Sequence, residues 1–325
     1  MNVIIIGSGV GGLTAALAMQ RAGIDATIYE QSPEPRAAGA GLTLWANAVR
    51  VLRALGAEQG IRPGVIEVAG SIRCWDGAVL TQMDAREIER RYGSPSVAMH
   101  RVDLMFALLD ELDHPVQYGK RLLRYEQTPE SIVAVFEDGT SAEADLLVGA
   151  DGIHSVVRGQ MHPQAKPVYR GYPPWRAVLD YDHEKVGGIW GETWGRGARF
   201  GIVPLSKSRV YWFGTENRPA NTPPADHKSR LREVFGNWHD PIPALIEAVP
   251  AEAILYNDIA DLQTLPNWID GRAVLLGDAA HATTPNMGQG ACQAMEDGQV
   301  LAQMLQRHTS IAAALNAYQQ ERLPQ

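Results

Sequence analysis

The first twelve residues, MNVIIIGSGVGG, constrain the fold more than any other stretch, because an apolar run passes directly into a group of glycines. Residues 3–6 predict a buried strand, and the apolar spacing after Gly12 predicts a helix that begins near Gly11. A strand end, a glycine turn and a helix N-terminus direct backbone N–H groups and the positive end of the helix dipole to one point. We interpret this point as a pyrophosphate site, with an ordinary tight turn as the alternative. The glycines concerned are Gly7, Gly9, Gly11 and Gly12.

A second strand follows this helix. The segment DATIYE alternates in polarity and ends at Glu30, eighteen residues after Gly12. At that separation a carboxylate accepts hydrogen bonds from the ribose of an adenosine. A surface glutamate at a strand end is the alternative interpretation. The complete β-α-β-Glu unit therefore predicts a dinucleotide site, and at this stage both NAD and FAD fit.

Composition restricts the function classes. The chain has 325 residues, 45% of them hydrophobic and 20% charged, which is enough for two globular domains. A net charge of −8 argues against a general affinity for nucleic acids or anionic membranes. No apolar run has membrane-spanning length and the N-terminal run lacks a basic leader, so we expect a cytoplasmic protein. Cys74 and Cys292 form no C-x-x-C pair, and the histidines show no ligand spacing, so we expect no metal.

Changes of pattern along the chain suggest an interrupted first domain. Strands are expected at VQYG, RLLRYEQ, SIVAVFED and SAEADLLVGADG, and strands rich in Trp and Tyr follow from about residue 167. One or two helices are expected between Asp226 and Ala248, and two more close the chain at about 289–307 and 311–322. We predict an α/β fold with a discontinuous Rossmann-like domain, a mainly antiparallel β-sheet substrate domain and C-terminal helices. The Rossmann-like domain comprises residues 1–63, 98–166 and 268–325, and the substrate domain residues 64–97 and 167–267.

A second strand-end motif selects the cofactor. The buried strand in GRAVLLGD ends at Gly277 and Asp278, and Pro285, Gly288 and Gly290 precede the next helix. NAD needs no carboxylate so far along the chain, whereas the ribityl hydroxyls of FAD need such an acceptor. The helix that starts near Gly290 would direct its N-terminus at the pyrimidine edge of the flavin, where reduced flavin is negatively charged. The first domain is thus predicted to bind FAD.

A third motif completes an ordered set. LLVGADGIHSVVR places Asp151 and Gly152 at a strand end and Arg158 on the short helix behind them, although an isolated Asp-Gly is ordinarily a turn. In the order GSGVGG, GADGIHSVVR and LLGDAAHATTPNMGQG, the chain resembles the single-component flavin-dependent monooxygenases with the p-hydroxybenzoate hydroxylase fold. This group includes urate, 6-hydroxynicotinate and salicylate hydroxylases and zeaxanthin epoxidase. The resemblance extends from Met1 to about Arg322.

The resemblance implies roles for residues that match the motifs of the group. Glu30 corresponds to the ribose ligand, Thr43 to a contact beside the flavin, and Arg101 to the arginine at the ribityl-diphosphate. Leu123 resembles the position whose backbone holds the adenine, and Asp151 one that serves both flavin and nicotinamide cofactor. Asp278 matches the ribityl ligand. The loop under the flavin ring is matched by Gly288, Gly290 and Ala291.

The resemblance also implies a reaction in two stages. NAD(P)H reduces a non-covalent FAD, and O2 then forms a flavin C4a-hydroperoxide that hydroxylates an electron-rich aromatic or heteroaromatic substrate. Water must be kept from the reactive flavin, and Pro285 corresponds to the proline beside the flavin edge where oxygen reacts. The group has no separate NAD(P)H domain, and we find no second nucleotide-binding glycine motif. A homodimer is kept as a hypothesis, since nothing in the pattern encodes the oligomeric state.

The chain departs from the group at RFGIVPL. Phenol hydroxylases of the salicylate type usually have a histidine base five residues before the proline, whereas this chain has Arg199 before Pro204. Arginine does not act as a base at ordinary pH. It can instead hold a carboxylate or stabilise an anionic oxygen or nitrogen on an acidic heterocycle, as in the urate hydroxylases; a salt bridge at a strand end is the alternative. Tyr211 and Asn286 are candidate hydrogen-bond partners for the same ligand.

Other functions fit the sequence less well than hydroxylation does. Epoxidation is a variant within the group, and a flavin oxidase or dehydrogenase is a second alternative. A flavin halogenase should show W-x-W-x-I-P and a catalytic lysine, which WGETWGRG does not match. A non-catalytic binding protein is disfavoured by the intact Asp278 and its following glycines.

The chain ends at QERLPQ, within what the resemblance implies is a longer C-terminal helix. Six tryptophans are candidates for an apolar pocket, although most are expected in the core: Trp175, Trp190, Trp194, Trp212, Trp238 and Trp268.

Overall fold

The computed structural model describes residues 1–35, 39–61, 66–67, 70–187 and 189–324, without the side chains of residues 61, 66 and 67. The expected domain boundary between residues 63 and 64 lies outside these ranges. All candidate site residues lie within them. No helix in this part of the chain is both long and apolar enough to cross a membrane.

Helices and strands alternate over much of the described chain. The helices are α1 (Val10–Arg21), α2 (Ala46–Ala54), α3 (Glu58–Ile61), α4 (Ala85–Tyr92), α5 (Arg101–Leu109), α6 (Val156–Met161), α7 (His227–Phe235), α8 (Ile242–Ala248), α9 (Asp278–His281), α10 (Gly290–Arg307) and α11 (Ile311–Arg322). Short 3-10 helices span His183–Val186, Ala251–Ala253 and Pro285–Met287. The first strands are β1 (Asn2–Ile6), β2 (Asp25–Tyr29), β3 (Gly41–Leu44), β4 (Ile66–Glu67), β5 (Ser71–Cys74), β6 (Val79–Gln82), β7 (Val97–His100), β8 (Leu122–Gln127), β9 (Ile132–Phe136) and β10 (Ser141–Ala144). The later strands are β11 (Leu146–Gly149), β12 (Val168–Tyr169), β13 (Pro174–Asp180), β14 (Gly191–Gly195), β15 (Ala198–Ser206), β16 (Arg209–Glu216), β17 (Leu255–Tyr256), β18 (Ala260–Asp261), β19 (Ile269–Asp270) and β20 (Ala273–Leu275).

A mostly parallel sheet of order β19-β20-β11-β1-β2 forms the centre of the nucleotide-binding half. β1 pairs in parallel with β2 and β11, and β11 pairs in parallel with β20. Residues 3–6 are buried, as expected for a strand whose two faces are both covered. α10 packs very closely on α1, because a Cβ at Gly298 would lie 2.7 Å from the Ala15 nitrogen. The parallel pairing brings the carboxyl ends of β1, β11 and β20 to one edge of the sheet.

A second, seven-stranded sheet has the order β17-β13-β16-β15-β14-β5-β6 and is antiparallel except where β14 pairs with β5. One face packs against α7 and α8 through a core that includes Trp175, Phe200 and Trp212. The opposite face carries Arg199 and Tyr211, and Tyr211 packs against Ala98 of β7. Side chains alternate between the two faces of a strand. Arg199 and Tyr211, which adjoin the core residues Phe200 and Trp212 in the chain, therefore point to the opposite face, toward the nucleotide-binding half.

Smaller sheets connect these two. β7 lies between β3 and β4 in a three-stranded antiparallel sheet, and β8, β9 and β10 form another. A Cβ at Gly41 would lie 2.6 Å from the Tyr211 side chain, so the tyrosine ring packs directly on the β3 backbone. Only glycine permits this approach. The contact places the second sheet against β3, which belongs to the nucleotide-binding half.

The predicted α/β fold class is confirmed, with corrections in detail. α1 begins at Val10, next to Gly11 as expected, whereas β2 ends at Tyr29, one residue before Glu30. The strand expected at VQYG is wrong, because only Gln117 forms a bridge, to Tyr29, before the chain turns at Gly119 with φ 73°. Gln117 pairs with the edge of β2, but β2 ends at Tyr29, and Gly119 and Lys120 hydrogen-bond to Ser32 and Glu30 in the loop that follows it. The two helices between Asp226 and Ala248 and the two C-terminal helices are confirmed.

Candidate active site

The glycine motif forms a tight turn at the end of β1. Gly7 has φ 104°, and a Cβ there would lie 2.5 Å from the Ala150 carbonyl oxygen. A Cβ at Gly12 would lie 2.0 Å from the carbonyl oxygen of Gly7, so neither position tolerates a side chain. Gly9 precedes α1 and offers no side chain to cap its N–H groups. Those groups are consequently available to an anion at the helix N-terminus.

A groove of about 410 Å³ runs along this edge of the sheet. Its wall includes Glu30, Arg101, Asp151 and the glycine turn. Lys120, Arg121 and Leu122 complete one side, whereas the exposed Leu123 lies one residue beyond this lining. The structure therefore brings the first and third motifs and Arg101 to one cavity.

Glu30 holds the backbone of the glycine turn. One carboxylate oxygen accepts hydrogen bonds from the Ser8 nitrogen at 2.9 Å and the Ser8 hydroxyl at 3.0 Å. The other oxygen accepts from the Ser32 nitrogen at 2.9 Å. Burial raises the pKa of Glu30, but the hydrogen bonds from Ser8 and Ser32 outweigh it, so the pKa lies below its ordinary value. The side chain is thus a fixed carboxylate in the groove wall.

Asp151 follows β11 and is held on one side only. Its Oδ2 accepts hydrogen bonds from the Val156 nitrogen at 2.7 Å and the Val157 nitrogen at 3.3 Å. Its Oδ1 is buried and has no hydrogen-bond partner within the described chain. Burial raises the pKa of Asp151, and hydrogen bonds from Ser155 and Val157 oppose the rise. A buried oxygen without a partner costs free energy, which a ligand donor at this position would offset.

Arg158 connects the second and third motifs. From α6 it donates hydrogen bonds to the Ala279 carbonyl oxygen at 3.1 Å and to the Ile153 carbonyl oxygen at 2.5 Å. Ala279 lies in α9, directly after Asp278. The buried guanidinium therefore fixes the loop after β11 relative to the loop after β20.

Asp278 is the first residue of α9, after Gly277 with φ 57°. Its side chain is exposed, although protein atoms crowd around it. This desolvation raises the pKa of Asp278, and the positive charges of His281 and Arg101 oppose the rise. The carboxylate is available to a ligand and lies near the charge of Arg101.

A buried ion network supports this loop from behind. Asp297 of α10 is fully buried and accepts hydrogen bonds from the Gly277 nitrogen at 2.9 Å, His281 Nε2 at 2.6 Å and Arg322 Nε at 2.7 Å. Sequence analysis did not assign these residues a role. The available signals were the Glu296-Asp297 pair inside an otherwise apolar helix face and the histidine in GDAAH. The network joins the C-terminal helix α11 to the strand-end motif.

The loop after α9 lies against β3. Pro285 and Asn286 begin the 3-10 helix, Gly288 has φ 62°, and Gly290 starts α10 with Ala291 in its first turn. Trp45 Nε1 donates a hydrogen bond to the Met287 carbonyl oxygen at 3.1 Å. The Cys292 thiol lies 3.8 Å from the Thr43 carbonyl oxygen, which places Thr43 beside the first turn of α10. Trp45 is a loop-supporting residue that sequence analysis missed.

Arg199 lies where the second sheet meets this loop. Its Nη2 donates a hydrogen bond to Asn286 Oδ1 at 2.7 Å, and its Nη1 lies 3.4 Å from Glu192 Oε2. The guanidinium also sits over the ring of Tyr172, 5.4 Å from the centroid. Tyr172 donates a hydrogen bond to the same Asn286 oxygen at 2.8 Å. The salt bridge that was the alternative interpretation for Arg199 is therefore present, with Glu192 as the partner. The binding of a substrate by Arg199 stays a prediction.

Tyr211 lies on the same sheet face as Arg199, but further along it. Arg199 pairs with Thr215 and Val203 with Tyr211, so four strand residues, about 13 Å, separate the two positions. The Phe213 ring packs on Gly201 between them. Burial raises the pKa of Tyr211 to about 12, with a small opposing effect from Arg176. A substrate that contacts both residues would have to extend along this face.

The tryptophans divide as the sequence suggested. Trp175, Trp212 and Trp268 are buried in the core, and Trp190 and Trp238 are half-buried. Trp194 is 44% exposed, and its indole donates a hydrogen bond to Glu192 Oε2 at 2.8 Å. One of the six therefore lies beside Arg199.

These features together accommodate FAD. A tight glycine turn, an uncapped helix N-terminus and a buried Asp151 oxygen without a partner in the described chain lie along one groove, and the exposed carboxylate of Asp278 lies near Arg101 of its wall. The positions match the diphosphate and hydroxyl groups that such a cofactor must place. Fold and site thus define a flavoprotein in which the Arg199 face of the second sheet contacts the loop after Asp278.

The comparisons with known proteins agree. The FAD binding domain family matches residues 1–325, and the chain belongs to this family. Aurachin C monooxygenase/isomerase of Stigmatella aurantiaca is 38% identical over 326 residues, covering 99% of this chain and 85% of that protein. FAD-dependent urate hydroxylase of Klebsiella pneumoniae subsp. pneumoniae is 34% identical, covering 99% and 86%. The crystal structure of Klebsiella pneumoniae HpxO complexed with FAD and uric acid matches with a TM-score of 0.92 and 33% identity, covering 100% and 84%. The chain is an FAD-dependent monooxygenase, as the resemblance implied.

Proposed function

We propose that this monooxygenase uses NAD(P)H and O2 to hydroxylate a small, electron-rich, anionic heteroaromatic substrate bound against Arg199. The observation that carries the proposal is the 2.7 Å hydrogen bond from Arg199 to Asn286, which joins the face of the second sheet to the loop after Asp278. A ligand that contacts the guanidinium consequently lies next to Pro285, the residue that the family places beside the flavin edge. The urate hydroxylase relatives support a heteroaromatic substrate.

Cofactor binding would use the three motifs. The glycine turn and Glu30 would hold the adenosine diphosphate half, with Arg101 at the phosphates and the Leu123 backbone at the adenine. Asp151, Asp278 and Thr43 would contact the ribityl and flavin half, above Gly288, Gly290 and Ala291. When bound, FAD supplies the oxidation and reduction chemistry by accepting a hydride and activating O2.

Protein residues would bind and orient the substrate. Arg199 cannot accept a proton at ordinary pH, so it would hold an anionic oxygen or nitrogen that is already deprotonated. Because burial raises the pKa of Tyr211 to about 12, its hydroxyl keeps its proton at neutral pH and would donate a hydrogen bond to the end of the substrate that extends along the face from Arg199. Pro285 would exclude water from the reacting edge, and Asn286 would fix the plane of the guanidinium.

Domains, partners and location are part of the same proposal. The division at residues 1–63, 98–166 and 268–325 against 64–97 and 167–267 is supported by the two separate hydrophobic cores. We also propose a cytoplasmic protein that forms a homodimer, which sedimentation equilibrium of the purified protein would test. This test uses the purified protein as it is, and the second domain does not have to be expressed separately.

The test of the function is a substrate screen. Small aromatic acids, purines and pyridones are added to the FAD-loaded protein, NAD(P)H oxidation is followed, and the product is identified by mass under 18O2. We expect one class to stimulate oxidation and to gain one oxygen atom from O2. Hydrogen peroxide as the sole product with every compound would favour the oxidase alternative, and an epoxide would favour the epoxidase alternative.

A further inference from the structure

The substrate face carries a carboxylate that the proposed function does not use. β14 pairs antiparallel with β15, so Glu192 lies opposite Gly201 and Trp194 opposite Arg199. Side chains of paired residues project from the same face of a sheet. Glu192 therefore lies on the Arg199 face, 23% exposed, beside a guanidinium that is 26% exposed.

Contacts within the chain hold both groups in place. Glu192 Oε2 accepts hydrogen bonds from Trp194 Nε1 at 2.8 Å and from Arg199 Nη1 at 3.4 Å. Asn286 engages the other terminal nitrogen of Arg199, and Tyr172 packs under the guanidinium. Glu192 Oε1 has no hydrogen-bond partner within the described ranges. An acceptor with negative charge and a donor with positive charge are thus presented side by side.

This arrangement distinguishes between two kinds of anion. A simple aromatic carboxylate that meets Arg199 would lie within a few ångströms of the Glu192 carboxylate, and like charges repel at that distance. A ring edge with an N–H next to a carbonyl or an anionic oxygen satisfies both groups, because the oxygen faces Arg199 and the N–H faces Glu192. The pair is complementary to a lactam edge and not to a carboxylate.

We propose that Glu192 is a specificity-determining residue that selects heteroaromatic substrates with an N–H donor beside the oxygen bound by Arg199, and disfavours aromatic carboxylates. The inference rests on the proposed function for the location of the substrate. It adds the chemical class of the substrate, which Arg199 alone leaves open between a carboxylate and an acidic heterocycle.

The test measures ligand binding to the FAD-loaded protein through the change in flavin absorbance. The probes are 2-pyridone, N-methyl-2-pyridone, in which a methyl group replaces the N–H hydrogen, and benzoate. We expect the wild type to bind 2-pyridone about tenfold more tightly than N-methyl-2-pyridone, the usual effect of one hydrogen bond to a charged acceptor. Glu192→Ala should abolish this preference. Glu192→Gln, which keeps the shape and removes the charge, should tighten benzoate binding by about fivefold or more.

The control is Glu143→Gln, an exposed glutamate of β10 far along the chain from this face, which should leave all three affinities unchanged. Melting temperature and FAD content check that both Glu192 variants are folded. Equal binding of the two pyridones by the wild type, unchanged benzoate binding in Glu192→Gln, or no binding of any probe would each overturn the proposal. Because only binding is measured, these results are independent of turnover, and a failure of the monooxygenase reaction would leave them interpretable.

Discussion

At the scale of single residues, two charged side chains carry separate parts of the proposed chemistry. Asp278 is an exposed carboxylate near Arg101 of the cofactor groove, whereas Arg199 lies on the second sheet and donates a hydrogen bond to Asn286. Substitutions at the two positions should consequently separate cofactor loss from substrate loss.

Replacing Asp278 with Ala should reduce FAD affinity by about 1–3 kcal/mol, because the cofactor hydroxyls lose their acceptor. Flavin absorbance after gel filtration measures the retained FAD. Asp113→Ala, which removes an exposed carboxylate without a side-chain hydrogen bond, is the matched control. Full FAD content in Asp278→Ala would show that this carboxylate is not the hydroxyl ligand.

Replacing Arg199 should affect the substrate and leave the cofactor in place. Arg199→Lys keeps the charge but loses the planar fork, so KM should rise; Arg199→Gln should cost about 2–4 kcal/mol in kcat/KM. FAD occupancy and kcat/KM on one substrate are measured for both variants. Arg209→Gln on the next strand, which breaks a surface ion pair with Asp103, is the control. Wild-type turnover in Arg199→Gln, or loss of FAD as its main effect, would leave Arg199 with only its salt bridge to Glu192.

At the scale of elements, α10 and α11 together hold the loop after β20. Asp297 projects from α10 to the Gly277 nitrogen, and Arg322 of α11 reaches the same carboxylate. Burial raises the pKa of Asp297, but His281 and Arg322 outweigh it and lower the pKa below its ordinary value. Burial lowers the pKa of His281, and Asp297 more than compensates, so that the pKa is raised.

These shifts predict how stability depends on pH. Because the folded pKa of His281 is raised, its charge contributes fully below the unfolded value of about 6.5 and is lost as pH rises through the folded pKa. The free energy of unfolding of wild type should exceed that of His281→Gln by about 1–2 kcal/mol at pH 5.5, and the difference should shrink at pH 9. Urea unfolding at both pH values measures it, with His308→Gln as an exposed control. A difference that is the same at both pH values would contradict a charged His281–Asp297 pair.

The bounds of helices and strands show which elements the local sequence pattern predicts accurately. The C-terminal helices were predicted within a residue of Gly290–Arg307 and Ile311–Arg322, because helical spacing is a local property of the chain. The strand expected at VQYG is reduced to one bridge at Gln117, because its partner β2 ends at Tyr29 and the chain turns at Gly119. A short apolar segment does not specify where its partner strand ends.

At the scale of the whole molecule, the substrate face contacts one loop of the nucleotide-binding half, the loop after Asp278. Pro285 and Asn286 belong to that loop, and no second glycine-rich nucleotide motif occurs in the sequence. In the proposed function, the nicotinamide reaches the flavin through the site that also binds the substrate. Access of the hydride donor and binding of the substrate should be coupled.

This coupling predicts that NAD(P)H oxidation is slow without substrate and rises when substrate binds. Stopped-flow absorbance of the flavin under anaerobic conditions measures the reduction rate with and without a verified substrate. An unreactive ligand of similar size serves as the control. Equal reduction rates in all three conditions would contradict the coupling and favour an oxidase.

The sequence by itself determined the cofactor class and the fold class. The β-α-β-Glu unit and each of the three ordered motifs are local patterns, with short spacings within each of them. The surroundings of Arg199 were decided only by tertiary structure. Asn286 lies 87 residues from Arg199 in sequence, and the partners of Asp297 come from two other elements. Contacts over such separations depend on how sheets and helices pack. The sequence indicated Trp- and Tyr-rich strands from about residue 167, but only the pairing of β14 with β15 placed Glu192 beside Arg199.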